Sequence, residues 1–142
     1  MQDIVVGRSK KDLKELGLKG AIFVGRHYIK MGQDYSLSND VYMDIAGAHV
    51  MFICGKRGGG KSYTMGAIAE GFYLLEEAVK KNLSVILLDT MGVYWTMKYP
   101  NHQDKILLEE WGLKPQSIPV SIFTPEKYYH IYKKQGIPTD VP

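Results

Sequence analysis

The sequence has almost no cysteine, no long apolar run and little excess of charge of one sign. The single cysteine, Cys54, cannot form a disulfide within the chain, which excludes the small disulfide-stabilised class of protein. The most apolar stretch, residues 41–54, is interrupted by Asp44 and His49 and is shorter than the roughly 20 residues that span a membrane. A net charge of +3 over 142 residues does not by itself indicate a nucleic-acid or membrane partner.

The residues that are present suffice for one packed domain. A hydrophobic share of 45%, with ten tyrosines and two tryptophans, excludes a disordered or low-complexity chain. The first three residues contain neither the basic nor the apolar segment of a secretory signal. We therefore expect a cytoplasmic protein with no membrane partner.

The first third of the chain predicts a small β-rich segment over residues 1–47. Gly17 follows a short charged run, and a loosely alternating run rich in β-branched and aromatic residues begins after Gly20. The predicted elements are a helix at 10–16, a strand at 21–29, a polar turn region at 32–40 and a strand at 41–45.

Residues 48–142 predict an α/β domain with a parallel sheet. The continuous apolar run at 50–54 (VMFIC) is typical of a strand buried on both faces. Residues 61–82 have apolar side chains at intervals of three or four, which predicts one long helix, and a second apolar run follows at 85–88. The order strand, helix, strand is typical of a parallel sheet. Later elements are predicted as a helix at 104–111, a strand at 120–123 and a helix at 126–134.

Residues 55–62 read GKRGGGKS and match the full phosphate-loop pattern G-x-x-x-x-G-K-[ST]. Glycines let backbone N–H groups converge on phosphate oxygens at a helix N terminus. Lys61 is expected to reach the β- and γ-phosphates of ATP and is the candidate catalytic residue, while the Ser62 hydroxyl is expected to bind Mg²⁺. The candidate nucleotide-binding residues are Gly55, Gly58, Gly59, Gly60, Lys61, Ser62 and Tyr63.

Asp89 is a second candidate metal residue, because it ends the apolar run at 85–88. It could hold a Mg²⁺-bound water, or it could cap the turn after the strand, and both interpretations stay open. The D-x-x-G sequence at 89–92, with NHQD at 101–104, resembles a pair of GTPase motifs. We discount that pair because the second motif lacks its lysine and follows no buried strand.

Other conspicuous residues have simpler interpretations. The aromatic and basic residues of 127–134 could stack on single-stranded nucleic acid, although a half-buried helix with a solvated basic end is favoured. The four histidines have no metal-ligand spacing with the cysteine, so no zinc site is assigned. Cys54, inside an apolar run, is expected to be a small core residue.

Residues 48–65, AHVMFICGKRGGGKSYTM, resemble the HerA-like (HerA/FtsK) ATPases of archaea. Residues 4–9, 22–27 and 88–97 are similar to flanking blocks of the same family, so the resemblance covers most of the chain. It implies a partial RecA-like P-loop ATPase with a small N-terminal β element, using ATP and Mg²⁺. It also implies a hexameric DNA translocase or helicase that moves double-stranded DNA and has a nuclease partner.

The resemblance further implies that the chain is the N-terminal part of a longer ATPase. We recognise no later strand ending in Asp-Glu and no arginine finger, both of which the family uses for hydrolysis. The chain alone is therefore expected to bind ATP without efficient turnover. Two alternatives stay open at this stage: a small P-loop kinase and a non-catalytic nucleotide-binding interaction module.

Overall fold

The computed structural model describes residues 3–142, which belong to two compact units. The first unit ends at Ile86, and the second comprises Leu87–Pro142. The fold is α/β, as expected, with one mixed three-stranded sheet in the described part of the chain. The predicted domain boundary between residues 47 and 48 stays a prediction.

The sheet lies in the first unit and consists of β1 (Ile4–Val6), β2 (Ala21–Met31) and β3 (Asp34–Asp44). Its order is β1-β3-β2, with β1 parallel and β2 antiparallel to β3. The prediction of β2 is confirmed. The predicted polar turn region at 32–40 is wrong over most of its length, because β3 already begins at Asp34.

Cross-strand packing explains why the polar segment is a strand. The rings of Tyr28 and Tyr35 stack across β2 and β3 with centroids 5.1 Å apart. Such aromatic pairs stabilise antiparallel strands and outweigh the low strand propensity of the Ser, Asn and Asp residues in β3. The turn between β2 and β3 consists of Gly32 and Gln33. The φ of Gly32 is +66°, which suits glycine.

Helix α1 (Lys10–Leu16) has the predicted bounds and capping residues that explain them. The Ser9 hydroxyl accepts a hydrogen bond from the Asp12 N–H at 3.1 Å, which satisfies one unpaired donor of the first turn. Gly17 ends the helix with a φ of +55°.

The predicted long helix at 61–82 is wrong as a single element. It divides into α2 (Lys61–Tyr73) and α3 (Glu77–Lys80), because Glu76 is extended, with a ψ of 140°. Extended backbone cannot continue the ladder of helical hydrogen bonds. Leu74, Leu75 and Val79 instead line a cavity of about 190 Å³ with residues of the turn before β2.

Two predicted strands of the parallel sheet are wrong in this structure. Residues 50–54 and 85–88 adopt no regular secondary structure, and Val50 and Phe52 are 102% and 87% exposed. A strand buried on both faces requires paired neighbours at its edges, and these segments pair with no strand in residues 3–142. The predicted core position of Cys54 is wrong for the same reason, since this residue is exposed.

A buried ion pair joins the elements of the first unit. The Arg8 side chain, 1% exposed, is paired with Asp44 and donates to the carbonyl oxygens of Gly17 at 2.6 Å and of Lys19 and Gly20 at 2.9 Å. Asp44 also accepts from His49 Nε2 at 2.7 Å. The pair therefore connects the end of β1, the end of α1, the end of β3 and the chain that leads to the phosphate loop.

The environment of Asp44 favours its ionised form. Burial alone would raise its pKa, but hydrogen bonds from His49 and Arg8 outweigh burial and lower the pKa from 3.8 to about 2. Because this pKa is lower in the folded chain, ionised Asp44 stabilises the fold above about pH 4. That stabilisation is lost as the pH falls towards 2.

The second unit contains a 3₁₀ helix (Tyr94–Lys98), α4 (Lys105–Glu110) and α5 (Glu126–Lys134). Helix α5 has its predicted bounds, and α4 lies within its predicted range. The predicted strand at 120–123 is wrong, because its pairing consists of an isolated parallel bridge between Phe123 and Val141.

We expect the contact between α2 and β2 to tolerate little added volume. A Cβ built on Gly71 would lie 3.1 Å from Cβ of Ile22, which is only 2% exposed. Gly71→Val should therefore lower the free energy of unfolding by about 1 to 3 kcal/mol, measured by urea denaturation with far-UV circular dichroism. Met65→Val is the control, since Met65 lies on the same helix and is 41% exposed. Equal losses for the two variants would contradict the tight packing.

Candidate nucleotide-binding site

The phosphate loop has the backbone geometry that only glycines adopt without strain. Gly58 and Gly60 have φ values of +76° and +80°. At Gly59 the constraint is space, because an added Cβ would lie 3.0 Å from the Lys56 carbonyl oxygen. The backbone conformation and the close packing of the loop therefore account for all three consecutive glycines.

Lys61 reaches back over the loop that precedes it. Its Nζ donates to the carbonyl oxygens of Gly55 at 2.8 Å and Lys56 at 2.9 Å. These bonds hold the ammonium group against the start of the loop. A flexible lysine side chain that holds its charge there can exchange backbone acceptors for the oxygens of an anion.

Helix α2 begins at Lys61, directly after the loop, as the sequence predicted. No side chain caps its N terminus at Gly60, and the first carbonyl oxygen accepts from both N and Oγ1 of Thr64, at 2.8 and 3.0 Å. N–H groups at this end of a helix favour an anion. The residues of the first turn, Ser62 and Tyr63, are exposed.

The donors of this segment fit a phosphate group. Glycine backbone, a lysine ammonium and an uncapped helix N terminus are brought together within residues 55–64. The Ser62 hydroxyl, in the first helical turn, is an oxygen ligand of the kind that Mg²⁺ binds. Among the described residues, no group of three or more His, Cys, Asp and Glu side chains is arranged to hold a metal ion.

Asp89 lies in the second unit and not at the end of a strand. Its Oδ2 accepts a hydrogen bond from the Tyr94 N–H at 2.8 Å, at the start of the 3₁₀ helix. This contact matches the turn-capping interpretation. Its role at a metal ion stays a prediction.

The contacts among Arg8, Asp44 and His49 were not predicted from the sequence. Arg8 and Asp44 are separated by 36 residues, so no local spacing indicates that they are paired. One signal was available: Asp44 and His49 interrupt an otherwise apolar stretch. A polar side chain that is buried within an apolar stretch usually has a hydrogen-bond partner.

A family profile described as "Helicase HerA, central domain" matches residues 22–140, which is most of the chain. The chain belongs to this HerA family. Its membership confirms the resemblance found in the sequence and implies the use of a nucleotide and a metal ion, as in ATPases generally. No curated protein and no solved structure matches the chain significantly.

No helix within residues 3–142 has the length and apolarity needed to cross a membrane.

We expect Ser62 to contribute more than Asp89 to a bound Mg²⁺. The Ser62 hydroxyl lies in the first turn after the phosphate loop, whereas the Asp89 carboxylate is engaged by the Tyr94 N–H. Ser62→Ala should therefore raise the Mg²⁺ concentration needed for ATP binding by about ten-fold, and Asp89→Asn much less. Titration of Mg²⁺ at fixed ATP measures both changes. A larger loss for Asp89→Asn would identify Asp89 as the main metal residue and favour a compact NTPase or kinase.

Proposed function

We propose that the chain binds Mg-ATP through residues 55–63 and forms the nucleotide-binding part of a HerA-like DNA-translocating ATPase. The observation that carries the proposal is the Lys61 ammonium group, held by the loop carbonyls of Gly55 and Lys56 at the N terminus of α2. Family membership over residues 22–140 supports it. A phosphate loop without the family match would fit a kinase equally well.

The chain's own residues have distinct roles in this proposal. Lys61 neutralises phosphate charge, the glycine N–H groups orient the phosphates, and Ser62 holds the metal ion. When bound, Mg-ATP supplies the phosphoryl group whose transfer to water drives movement along DNA. The chain by itself is proposed to bind nucleotide without efficient turnover.

A RecA-like core for the family domain is part of the proposal, and two exposed apolar segments bear on it. Ile86 and Leu88 are 84% and 88% exposed, and Val50 and Phe52 are exposed to a similar extent. Apolar runs of this kind are normally buried as central strands of a parallel sheet. In this structure neither segment is a strand, so the proposal of a RecA-like core rests on the family membership over residues 22–140.

The remaining parts of the proposal concern the whole assembly. Double-stranded DNA is the proposed substrate, with a ring of identical subunits, a nuclease partner and a cytoplasmic location. These follow from the family resemblance. Incubation of radiolabelled ATP with duplex DNA, and separately with a panel of nucleosides, separates a translocase from a kinase and from a non-catalytic module.

The test of the site uses two lysines of the same loop. Lys61→Ala removes the ammonium group that faces the loop, and we expect it to weaken Mg-ATP binding at least about ten-fold in calorimetry. Lys56→Ala removes the same charge from the same loop but retains the Lys56 carbonyl group that Lys61 contacts. We expect this control to bind nearly as tightly as the wild type.

Equal affinity of the wild type and Lys61→Ala would contradict the assignment of the site. Equal weakening in both variants would show that only the loop's total charge matters, which also contradicts it. Circular dichroism of each variant checks that α2 remains folded.

A further inference from the structure

Helix α5 presents a basic and aromatic surface that the nucleotide site does not use. Lys127, Ile131 and Lys134 are spaced by four and three residues, so they follow one another along one face of the helix. Tyr128 adjoins this row and is 41% exposed, and Ile131 is 48% exposed. We call Lys127, Tyr128, Ile131 and Lys134 the α5 surface. None of the residues of α5 is fully buried, and Tyr129 and Tyr132 are half-buried.

The ring of Tyr128 has one aromatic and one cationic neighbour on the same helix. Tyr132, which is half-buried, stacks on it with centroids 5.8 Å apart and planes at 21°. The Lys127 ammonium group lies 5.6 Å from the Tyr128 ring centroid. A supported, partly exposed ring with a cation beside it suits an aromatic base and its phosphate.

The helix itself is fixed at both ends. Buried Thr124 and Thr139, which lie before and after α5, share a hydrogen bond of 2.6 Å between their hydroxyl groups. Asp140 accepts from the Ile122 N–H at 2.8 Å and from Lys98 Nζ at 2.5 Å. A surface on a rigid element loses little conformational entropy when it binds a partner.

Charge distinguishes the α5 surface from the rest of the helix. Lys133 donates to the Tyr129 hydroxyl at 2.6 Å. Hydrogen bonds from Lys98 and from the Ile122 N–H lower the pKa of Asp140, and the charge of Lys133 adds to that effect, so the charge of Lys133 is partly compensated. Lys127 and Lys134 are exposed, and the helix carries one carboxylate, Glu126. The uncompensated cations therefore lie beside the exposed tyrosine.

We propose that the α5 surface binds single-stranded nucleic acid, with a base stacked on Tyr128 and the neighbouring phosphates beside Lys127 and Lys134. The negative backbone complements the two lysines. An exposed ring favours a single strand, whose bases are free to stack, over a duplex, whose bases already stack on one another. This inference does not rest on the proposed nucleotide site, because it is tested without ATP.

The test measures anisotropy of a labelled oligothymidylate of about 20 nucleotides with the full chain at about 50 mM salt. Lys127→Gln/Lys134→Gln should weaken binding about ten-fold and reduce the slope of log affinity against log salt by about 1.4. Lys10→Gln/Lys11→Gln is the matched control, since it removes the same charge from the exposed positions of α1. This control should change the affinity less than about two-fold.

Tyr128 tests the stacking contact separately from charge. Tyr128→Leu should weaken oligothymidylate binding about five-fold or more, while Tyr128→Phe should retain it. Equal losses for the two double-lysine variants would overturn the proposal, as would the absence of measurable binding at low salt. Unchanged affinity of Tyr128→Leu, or a preference for a duplex of the same length, would overturn the single-strand assignment.

Discussion

A guanidinium group that is almost entirely removed from water has to be paired, and Arg8 is paired with the equally enclosed carboxylate of Asp44. Each partner also bonds to backbone groups in a different turn, and the Ile45 N–H donates to the Gly20 carbonyl oxygen at 2.9 Å between those turns. Arg8 binds carbonyl groups of Gly17, Lys19 and Gly20, and Asp44 binds the N–H groups of the next turn. The sheet, α1 and the approach to the phosphate loop are therefore joined through one ion pair.

The apolar packing of the first unit is limited, which increases the importance of that pair. Ile22 is the one apolar residue of this unit among the described residues that is buried, and it packs against Gly71 of α2. The helix that carries Lys61 is thus held on the sheet by a small contact. Polar bonds that are buried, numerous and satisfied can specify such a fold where the core is small.

The sequence predicted the elements whose causes are local. Helices α1 and α5 have the expected bounds because capping residues, glycine and proline define their ends. The glycine geometry of the phosphate loop was predictable for the same reason. The sequence predicted strands at 50–54 and 85–88 that the structure does not contain. A buried strand depends on neighbouring strands, which the pattern within a segment cannot reveal. The Arg8–Asp44 pair likewise depends on residues far apart in the chain.

The most direct test compares the two Asp–Arg pairs of the first unit by urea denaturation. Asp44→Asn leaves the buried Arg8 without its counterion, and we expect a loss of about 3 to 5 kcal/mol in the free energy of unfolding. Asp40→Asn is the matched control, because its pair with Arg26 spans 3.1 Å with side chains 40% and 32% exposed, and the expected loss is about 1 kcal/mol or less. Losses that agree within about 0.5 kcal/mol would contradict the central role of the Arg8–Asp44 pair.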